Sequence, residues 1–257
     1  MEGALKFEKA FAYALYFSGL YAIFKAIKRG SRDTRILTYH RVGSGKMVTK
    51  ESFGKQMAYL SKNYNAISFS EFLKGMKDGT IKKRSVVITL DDGYTDNYTD
   101  AYPILKKHGI PATIFPIAGS IGKDGMLGWS EMKEMEKGGL VTFGAHTLTH
   151  PRLSGCSKAD AKKEILESKK MLESQLGKID VFAYPYGGRA DFNGETKQIV
   201  KGSFSAAVTT IPGLNNPSTD VFELKRIGCS HENSIIVFKV KVSGMLNPFI
   251  RLYRKGG

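Results

Sequence analysis

Residues 85–116 read SVVITLDDGYTDNYTDAYPILKKHGIPATIFP, and this stretch decides the predicted fold. A run of β-branched and apolar residues at 85–90 is followed by a polar loop, a helix-like segment at 99–108 and a second apolar run at 112–116. A helix between two strands is typical of a parallel sheet, because parallel strands need a long crossover connection. The stretch therefore predicts a βαβ unit.

The same alternation continues on both sides of this unit. Short apolar runs that end at polar or glycine residues predict further strands at 35–40, 141–145, 181–183, 205–209 and 224–227. Helices are predicted between them at 53–63, 69–77, 130–137, 158–176 and 195–201. For the helix at 158–176 the expected C-cap is Gly177, and the expected apolar stripe is Ile165, Leu166, Met171, Leu172 and Leu176. The pattern predicts an α/β fold, a parallel sheet or barrel surrounded by helices.

Composition and length favour one globular domain with extensions at both ends. The chain has 257 residues, of which 42% are hydrophobic and 25% charged, and these values exclude collagen-like, disordered and disulfide-scaffold proteins. The two cysteines, Cys156 and Cys229, could pair but form no disulfide framework. We expect a basic and apolar N-terminal helix at 1–32, a catalytic domain at 33–232 and a basic extension at 233–257.

The net charge of +15 is concentrated towards the two ends. Residues 10–24, AFAYALYFSGLYAIF, are almost entirely apolar and have lysines on both sides. As a helix they would span about 22 Å, which is short of the roughly 30 Å hydrocarbon core of a bilayer. Three interpretations stay open: a helix lying on an anionic membrane surface, a helix packed against the domain, and an uncleaved signal anchor. We expect no nucleic-acid partner, because the charge does not form a stripe across the domain, and we expect a membrane-peripheral protein without a clear cleavable signal peptide.

Chemically useful side chains follow four of the predicted strands. His40 ends the first strand, Asp91 and Asp92 end the next, and His146 and His150 follow the strand at 141–145. A Tyr-Pro-Tyr-Gly turn at 184–187 follows the strand at 181–183. Active residues of parallel α/β proteins come from the carboxyl ends of the strands, so these side chains should meet. The spacing of the two histidines predicts that they share one side of a helical turn. Together the residues indicate a hydrolytic metal site with a base beside it.

Three motifs resemble those of a known family. TLDDG at 89–93, HTLTH at 146–150 and YPYGG at 184–188 are similar to the first three motifs of the polysaccharide deacetylases, the family 4 carbohydrate esterases that share the NodB homology domain. The likeness covers residues 34–231, and LTYHRV at 37–42 resembles members that act on exopolysaccharides.

The resemblance implies a distorted (β/α) barrel and a divalent metal, usually zinc, with Co²⁺ and Ni²⁺ as alternatives. It assigns the metal ligands to Asp92, His146 and His150, and the catalytic base to Asp91. The backbone N–H of Tyr186 would donate to the oxyanion.

The sequence departs from the family pattern at two places. Ala183 stands where the third motif commonly has an arginine that pairs with the catalytic aspartate. Arg41 and Arg189 are candidate substitutes by proximity in sequence, and the alternative for each is an ordinary surface arginine. The late Leu-x-His motif that supplies the general acid is also absent, so the acid is either His40 or His231.

The expected activity is metal-dependent removal of the N-acetyl group of an amino sugar, in a cell-surface polysaccharide or its lipid-linked precursor. One alternative uses the same metal site on another amide, as in a deformylase or a cyclic-imide hydrolase. The other alternative is a membrane-associated polysaccharide-binding module without turnover.

Overall fold

The computed structural model describes residues 2–43, 48–229 and 234–247, and a parallel sheet forms its centre. The strand order is β5–β4–β3–β1–β8–β7–β6, and a short strand, β2, also pairs with β3. All seven predicted strands are confirmed with small shifts at their ends, and β2 was not predicted. The strands are β1 (Arg35–Tyr39), β2 (Asn65–Ala66), β3 (Ser85–Asp92), β4 (Ala112–Pro116), β5 (Val141–Phe143), β6 (Val181–Ala183), β7 (Ala206–Pro212) and β8 (Leu224–Gly228).

The sheet nearly closes into a barrel at the residues that follow β5. Ala145 bridges Phe182, and its N–H donates to the Val181 carbonyl at 2.9 Å. Gly144 makes this close approach possible, because a Cβ there would lie 2.8 Å from the Val181 oxygen and closer still to the Phe115 ring. The predicted distorted (β/α) barrel is confirmed, and its closing seam is one bridge wide.

The inside of the barrel is apolar at one end and polar at the other. Ile36, Val87 and Leu224 belong to an apolar cluster that helix α4 also joins. Further along the same strands, Thr89 and Arg226 are buried and bonded to each other. Because side chains two residues apart share a face of a strand, β3 and β8 each carry an apolar residue into this cluster and polar residues towards the carboxyl end.

Nine helices are present in the described parts of the chain, and those predicted between the strands are confirmed. They are α1 (Glu2–Phe17), α2 (Leu20–Ile27), α3 (Lys50–Asn63), α4 (Phe69–Asp78), α5 (Tyr102–His108), α6 (Trp129–Lys137), α7 (Lys158–Glu173), α8 (Gly194–Lys201) and α9 (Ile235–Ser243). A π-helical turn at Asn97–Ala101 precedes α5. Pro103 follows this turn and lacks the N–H that an α-helix would need there.

The predicted end of α7 is wrong. The helix ends at Glu173 with Ser174 as its C-cap, so Gly177 is not the cap. The Gly177 N–H instead donates to a carboxylate oxygen of Glu136. Leu176 reaches the core from the turn after the helix, whereas Met171, expected in the apolar stripe, is 38% exposed.

The two cysteines, Cys156 and Cys229, are free thiols, and no disulfide joins them.

The N-terminal segment forms two helices, α1 and α2, that bend by 79° at residues 18–19. One face is packed on the domain: Ala12, Leu15 and Tyr21 are buried together with residues of α9. Within the described residues no single helix is long and apolar enough to cross a membrane, although the bent pair passes that criterion when its two helices are taken together. Packing against the domain, one of the three open interpretations, is therefore present.

Candidate active site

Three predicted metal ligands meet at the mouth of the barrel. The Asp92 Oδ1 atom lies 3.5 Å from His146 Nε2 and 3.6 Å from His150 Nε2. Two donors bound tetrahedrally at about 2.1 Å to one zinc ion would be about 3.4 Å apart, so the spacing fits a shared divalent ion. One carboxylate and two imidazoles also form a donor set typical of catalytic zinc, which keeps a position for water.

The closing seam of the barrel orients the first histidine. His146 is 2% exposed, and its Nδ1 lies 2.7 Å from the Ala183 carbonyl oxygen. A proton on Nδ1 leaves Nε2 with a lone pair towards Asp92, and a hydrogen bond of this kind is the usual support for a ligating histidine. Ala183, which replaces the arginine of the family motif, thus contributes through its backbone.

The second histidine is placed by an irregular loop, so the predicted helical turn is wrong. Thr147 and His150 have φ angles of 62° and 65°, in the left-handed region, which interrupts any helix. Glu164 on α7 holds the loop by accepting the N–H groups of Leu148 and Thr149 at 2.9 and 2.8 Å. The two imidazole rings still meet, with centroids 4.8 Å apart.

Backbone strain is concentrated at this site. Five non-glycine residues in the described ranges have positive φ, and four of them lie here: Asp92, Thr147, His150 and Tyr186. Such conformations cost of order 1–3 kcal/mol each and persist where the surrounding structure enforces them, which is common at functional sites.

Asp91 is held by a buried arginine that the sequence analysis missed. Two nitrogens of Arg226 donate to the two Asp91 oxygens at 2.7 and 2.6 Å, and both side chains are almost fully buried. Arg226 also donates to the Thr209 carbonyl and to Thr89 Oγ1. Burial by itself would raise the pKa of Asp91, but the charge and hydrogen bonds of Arg226 outweigh it and lower the pKa. Asp91 is therefore a carboxylate, as a general base must be.

Neither of the two candidate substitutes pairs with Asp91. Arg41 donates to Asp96 at 2.7 Å, and Arg189 is exposed in the loop that follows the third motif. A sequence signal for Arg226 was present, because it lies in the predicted strand at 224–227 on the same face as Leu224, and a buried cation there needs a buried carboxylate.

His40 and Tyr186 lie at the rim of the cluster. Burial raises the pKa of Asp92, but His146 and, to a smaller extent, the nearby His40 lower it, and its net shift is downward. The Tyr186 ring is 48% exposed, lies 4.9 Å from the His150 ring and is covered by the Arg152 guanidinium at 4.0 Å. Among the described residues nothing accepts the Tyr186 N–H. His231, the other candidate acid, lies outside the described residues.

We predict that Arg226→Met lowers the free energy of unfolding by about 3–5 kcal/mol, because it leaves the Asp91 carboxylate buried without a cation. The double variant Arg226→Met/Asp91→Asn should recover part of this loss. Urea unfolding of the wild type, both single variants and the double variant, in the presence of a chelator, measures the coupling.

Arg41→Met is the control for this cycle, because it breaks a partly exposed ion pair and should cost only about 0–1 kcal/mol. Strict additivity of the Arg226 and Asp91 single-variant effects would contradict the assigned pair.

Comparison with known proteins gives one consistent result. The family model described as "Polysaccharide deacetylase" matches residues 78–202. Over 216 residues the chain is 36% identical to the Bacillus subtilis strain 168 protein named "Putative polysaccharide deacetylase YxkH", covering 82% of this chain and 76% of that protein. It is 33% identical to the poly-beta-1,6-N-acetyl-D-glucosamine N-deacetylase of Staphylococcus aureus strain MSSA476, covering 63% of this chain and 68% of that protein.

A solved structure agrees. The Streptococcus pyogenes deacetylase PplD, in complex with acetate, superposes with a TM-score of 0.72 at 28% identity, covering 78% of this chain and 93% of that one. The resemblance seen in the three motifs is thereby confirmed: the chain belongs to the polysaccharide deacetylase family.

Proposed function

We propose that this protein removes the N-acetyl group from an amino sugar of a cell-surface polysaccharide or its lipid-linked precursor, by metal-dependent hydrolysis. The observation that carries the proposal is the ionised, arginine-bound Asp91 directly beside the Asp92–His146–His150 donor set. The Staphylococcus aureus relative is named for an N-acetylated polysaccharide, which favours a substrate of the same class. Because the base Asp91 and all three proposed ligands are present, a binding module without turnover is disfavoured.

Each catalytic role is assigned to an atom of this chain. Asp92, His146 and His150 would hold a divalent ion, which we propose to be zinc, and the ion would supply Lewis acidity to the acetamide carbonyl and to water. Asp91 accepts the proton of the attacking water, and the Tyr186 N–H donates to the oxyanion. His40 gives a proton to the departing nitrogen. Water and the amide thus become acetate and a free amine.

We predict that Ala substitution of Asp92, His146 or His150 lowers both metal content and activity, because each supplies a direct bond to the ion. Asp91→Asn should keep the metal and lose turnover, because the base is needed for proton transfer and not for coordination. Metal analysis of each purified variant, together with acetate release from N-acetylated oligosaccharides, measures both effects.

Loss of metal in Asp91→Asn would mean that the two aspartates are assigned the wrong way round. Formate release from formamido sugars, measured alongside acetate release, separates the proposed activity from a deformylase.

The role of His40 can be separated from that of Asp91 by the choice of leaving group. An amine must be protonated as it leaves, whereas the phenolate of an activated aryl acetate leaves without a proton. We predict that His40→Ala lowers kcat/KM for an N-acetylated oligosaccharide by about 10²- to 10⁴-fold, and that it largely retains hydrolysis of the aryl acetate and the metal. Asp91→Asn should lose both activities.

Equal losses on both substrates in His40→Ala would exclude it as the acid and favour His231. The same comparison on His231→Ala completes the test.

We also propose that residues 1–32 hold the domain on an anionic membrane surface. Eight large hydrophobic side chains are exposed in the described residues, and six of them lie on α1 and α2: Phe7, Tyr13, Phe17, Leu20, Ile23 and Ile27. Lysines interleave with them, and the acidic Glu8 is already paired with Lys241. An exposed apolar face next to lysines is typical of helices that lie in the membrane interface.

We predict that the double variant Phe17→Ser/Ile27→Ser binds vesicles containing phosphatidylglycerol at least tenfold more weakly than the wild type. These side chains are 73% and 74% exposed, and burial of one such side chain contributes about 1.5–3 kcal/mol. Vesicle co-sedimentation measures the binding.

Met171→Ser, at an exposed methionine far along the chain, is the control and should bind as the wild type does. Unchanged binding of the double variant would contradict the membrane role, and hydrolysis of a soluble oligosaccharide should be the same in all three proteins.

A further inference from the structure

Four cations gather around two adjoining tyrosines, where the N-terminal helices meet the domain. The Tyr59 and Tyr64 rings, at the end of α3, have centroids 6.1 Å apart. Lys25 and Lys239 approach the Tyr59 centroid to 5.7 and 5.4 Å, and Arg35 and Arg84 approach the Tyr64 centroid to 5.4 and 5.1 Å. We call Lys25, Arg35, Arg84 and Lys239 the cation cluster. Its members come from α2, β1, the residue before β3, and α9.

No carboxylate lies within ion-pair distance of the cation cluster in the described parts of the chain. Arg35 is nearly fully buried and donates to backbone carbonyls of residues 33, 242 and 243. The charge of Asp33 acts on Arg35, but the Asp33 carboxylate forms its ion pair with Lys28, at 3.9 Å. By contrast, two other cations that are shielded from solvent, Arg226 and Lys197, each form an ion pair with a carboxylate. The cluster therefore carries charge that the protein leaves uncompensated.

Arg84 shows that this site is built and not a chance gathering of surface lysines. Its Nη2 atom is buried and has no hydrogen-bond partner among the described residues, which is rare for a charged group. Its backbone has a φ of 58°, the single non-glycine left-handed residue in the described ranges that lies outside the active site. A left-handed conformation is costly for a non-glycine residue and is enriched where proteins hold ligands.

The cations also act on one another. Burial lowers the pKa of Lys25, and the charges of Arg84 and Lys239 lower it further. An anion with more than one charge, placed among these three side chains, would reduce this repulsion. Phosphate is such an anion, and guanidinium and ammonium groups are its usual protein partners.

We propose that the cation cluster binds a phosphate group, with Lys25, Arg84 and Lys239 as donors and Arg35 as a buried supporting charge. Bound there, the phosphate would join α2 to α9 and to the start of β3, and so stabilise the docking of the N-terminal helices. The group can belong to free phosphate or to a lipid headgroup, and α2 also carries Ile23 and Ile27 of the exposed apolar face.

The first experiment uses inorganic phosphate and the full chain. Calorimetric titration at constant ionic strength should show saturable binding to the wild type, and at least tenfold weaker binding to Arg84→Gln/Lys239→Gln. The charge-matched control is Lys106→Gln/Lys107→Gln, which also removes a lysine from a tyrosine ring and should bind as the wild type does. Lys25→Gln, a single change at a partly exposed side chain, provides a second test if the double variant folds poorly.

The second experiment uses vesicles with and without phosphatidylglycerol. If the source is a lipid headgroup, the cluster variant should bind the anionic vesicles at least tenfold more weakly than the charge-matched control. A loss confined to inorganic phosphate identifies free phosphate as the ligand. Equal behaviour of the cluster variant and its control with both probes would overturn the proposal.

Deacetylation of a soluble oligosaccharide should be unchanged in every one of these variants, because the cluster is separate from Asp91 and the metal ligands. Failure of the phosphate site is in this way distinguishable from failure of the proposed enzyme activity.

Discussion

The buried ion pair between Arg226 on β8 and Asp91 on β3 is the constraint on which the site depends. Both strands flank β1, so the pair crosses the inside of the barrel and ties together the two strands on either side of β1. A charge so deeply buried is tolerated only when its partners are complete. Arg226 meets this condition with bonds to Asp91, Thr89 and Thr209. The pair keeps Asp91 ionised and fixes the orientation of its carboxylate. Its neighbour Asp92 has a different role.

The separation of roles between Asp91 and Asp92 follows from backbone geometry. Successive side chains of a regular strand point to opposite faces. Asp92 leaves this alternation with a φ of 72°, and Gly93, with a φ of 78°, continues the turn where a Cβ would lie within 3 Å of Pro116. The barrel closure at Ala145 then brings His146 to the same place. One carboxylate can therefore meet the two imidazoles while its neighbour remains bound to Arg226.

The sequence was sufficient for seven of the eight strands, the family and the grouping of Asp92, His146 and His150, because these depend on local periodicity and on short motifs. It was insufficient for Arg226, which lies 135 residues from its partner along the chain. The helical turn expected for the histidines was wrong because Glu164, also remote in sequence, supports an irregular loop. Residues 10–24 are apolar on all sides, so their sequence allowed packing, membrane contact or both, and the structure shows which face packs on α9.

The most direct test of this account is a crystal structure of the zinc-loaded protein with anomalous scattering data at the zinc edge. We predict one ion bonded to Asp92, to Nε2 of His146 and to Nε2 of His150 at about 2.0–2.2 Å. Asp91 should remain paired with Arg226 and lie outside the coordination sphere. An ion bonded to Asp91, or an Asp91–Arg226 pair broken by metal binding, would contradict the division between ligand and base.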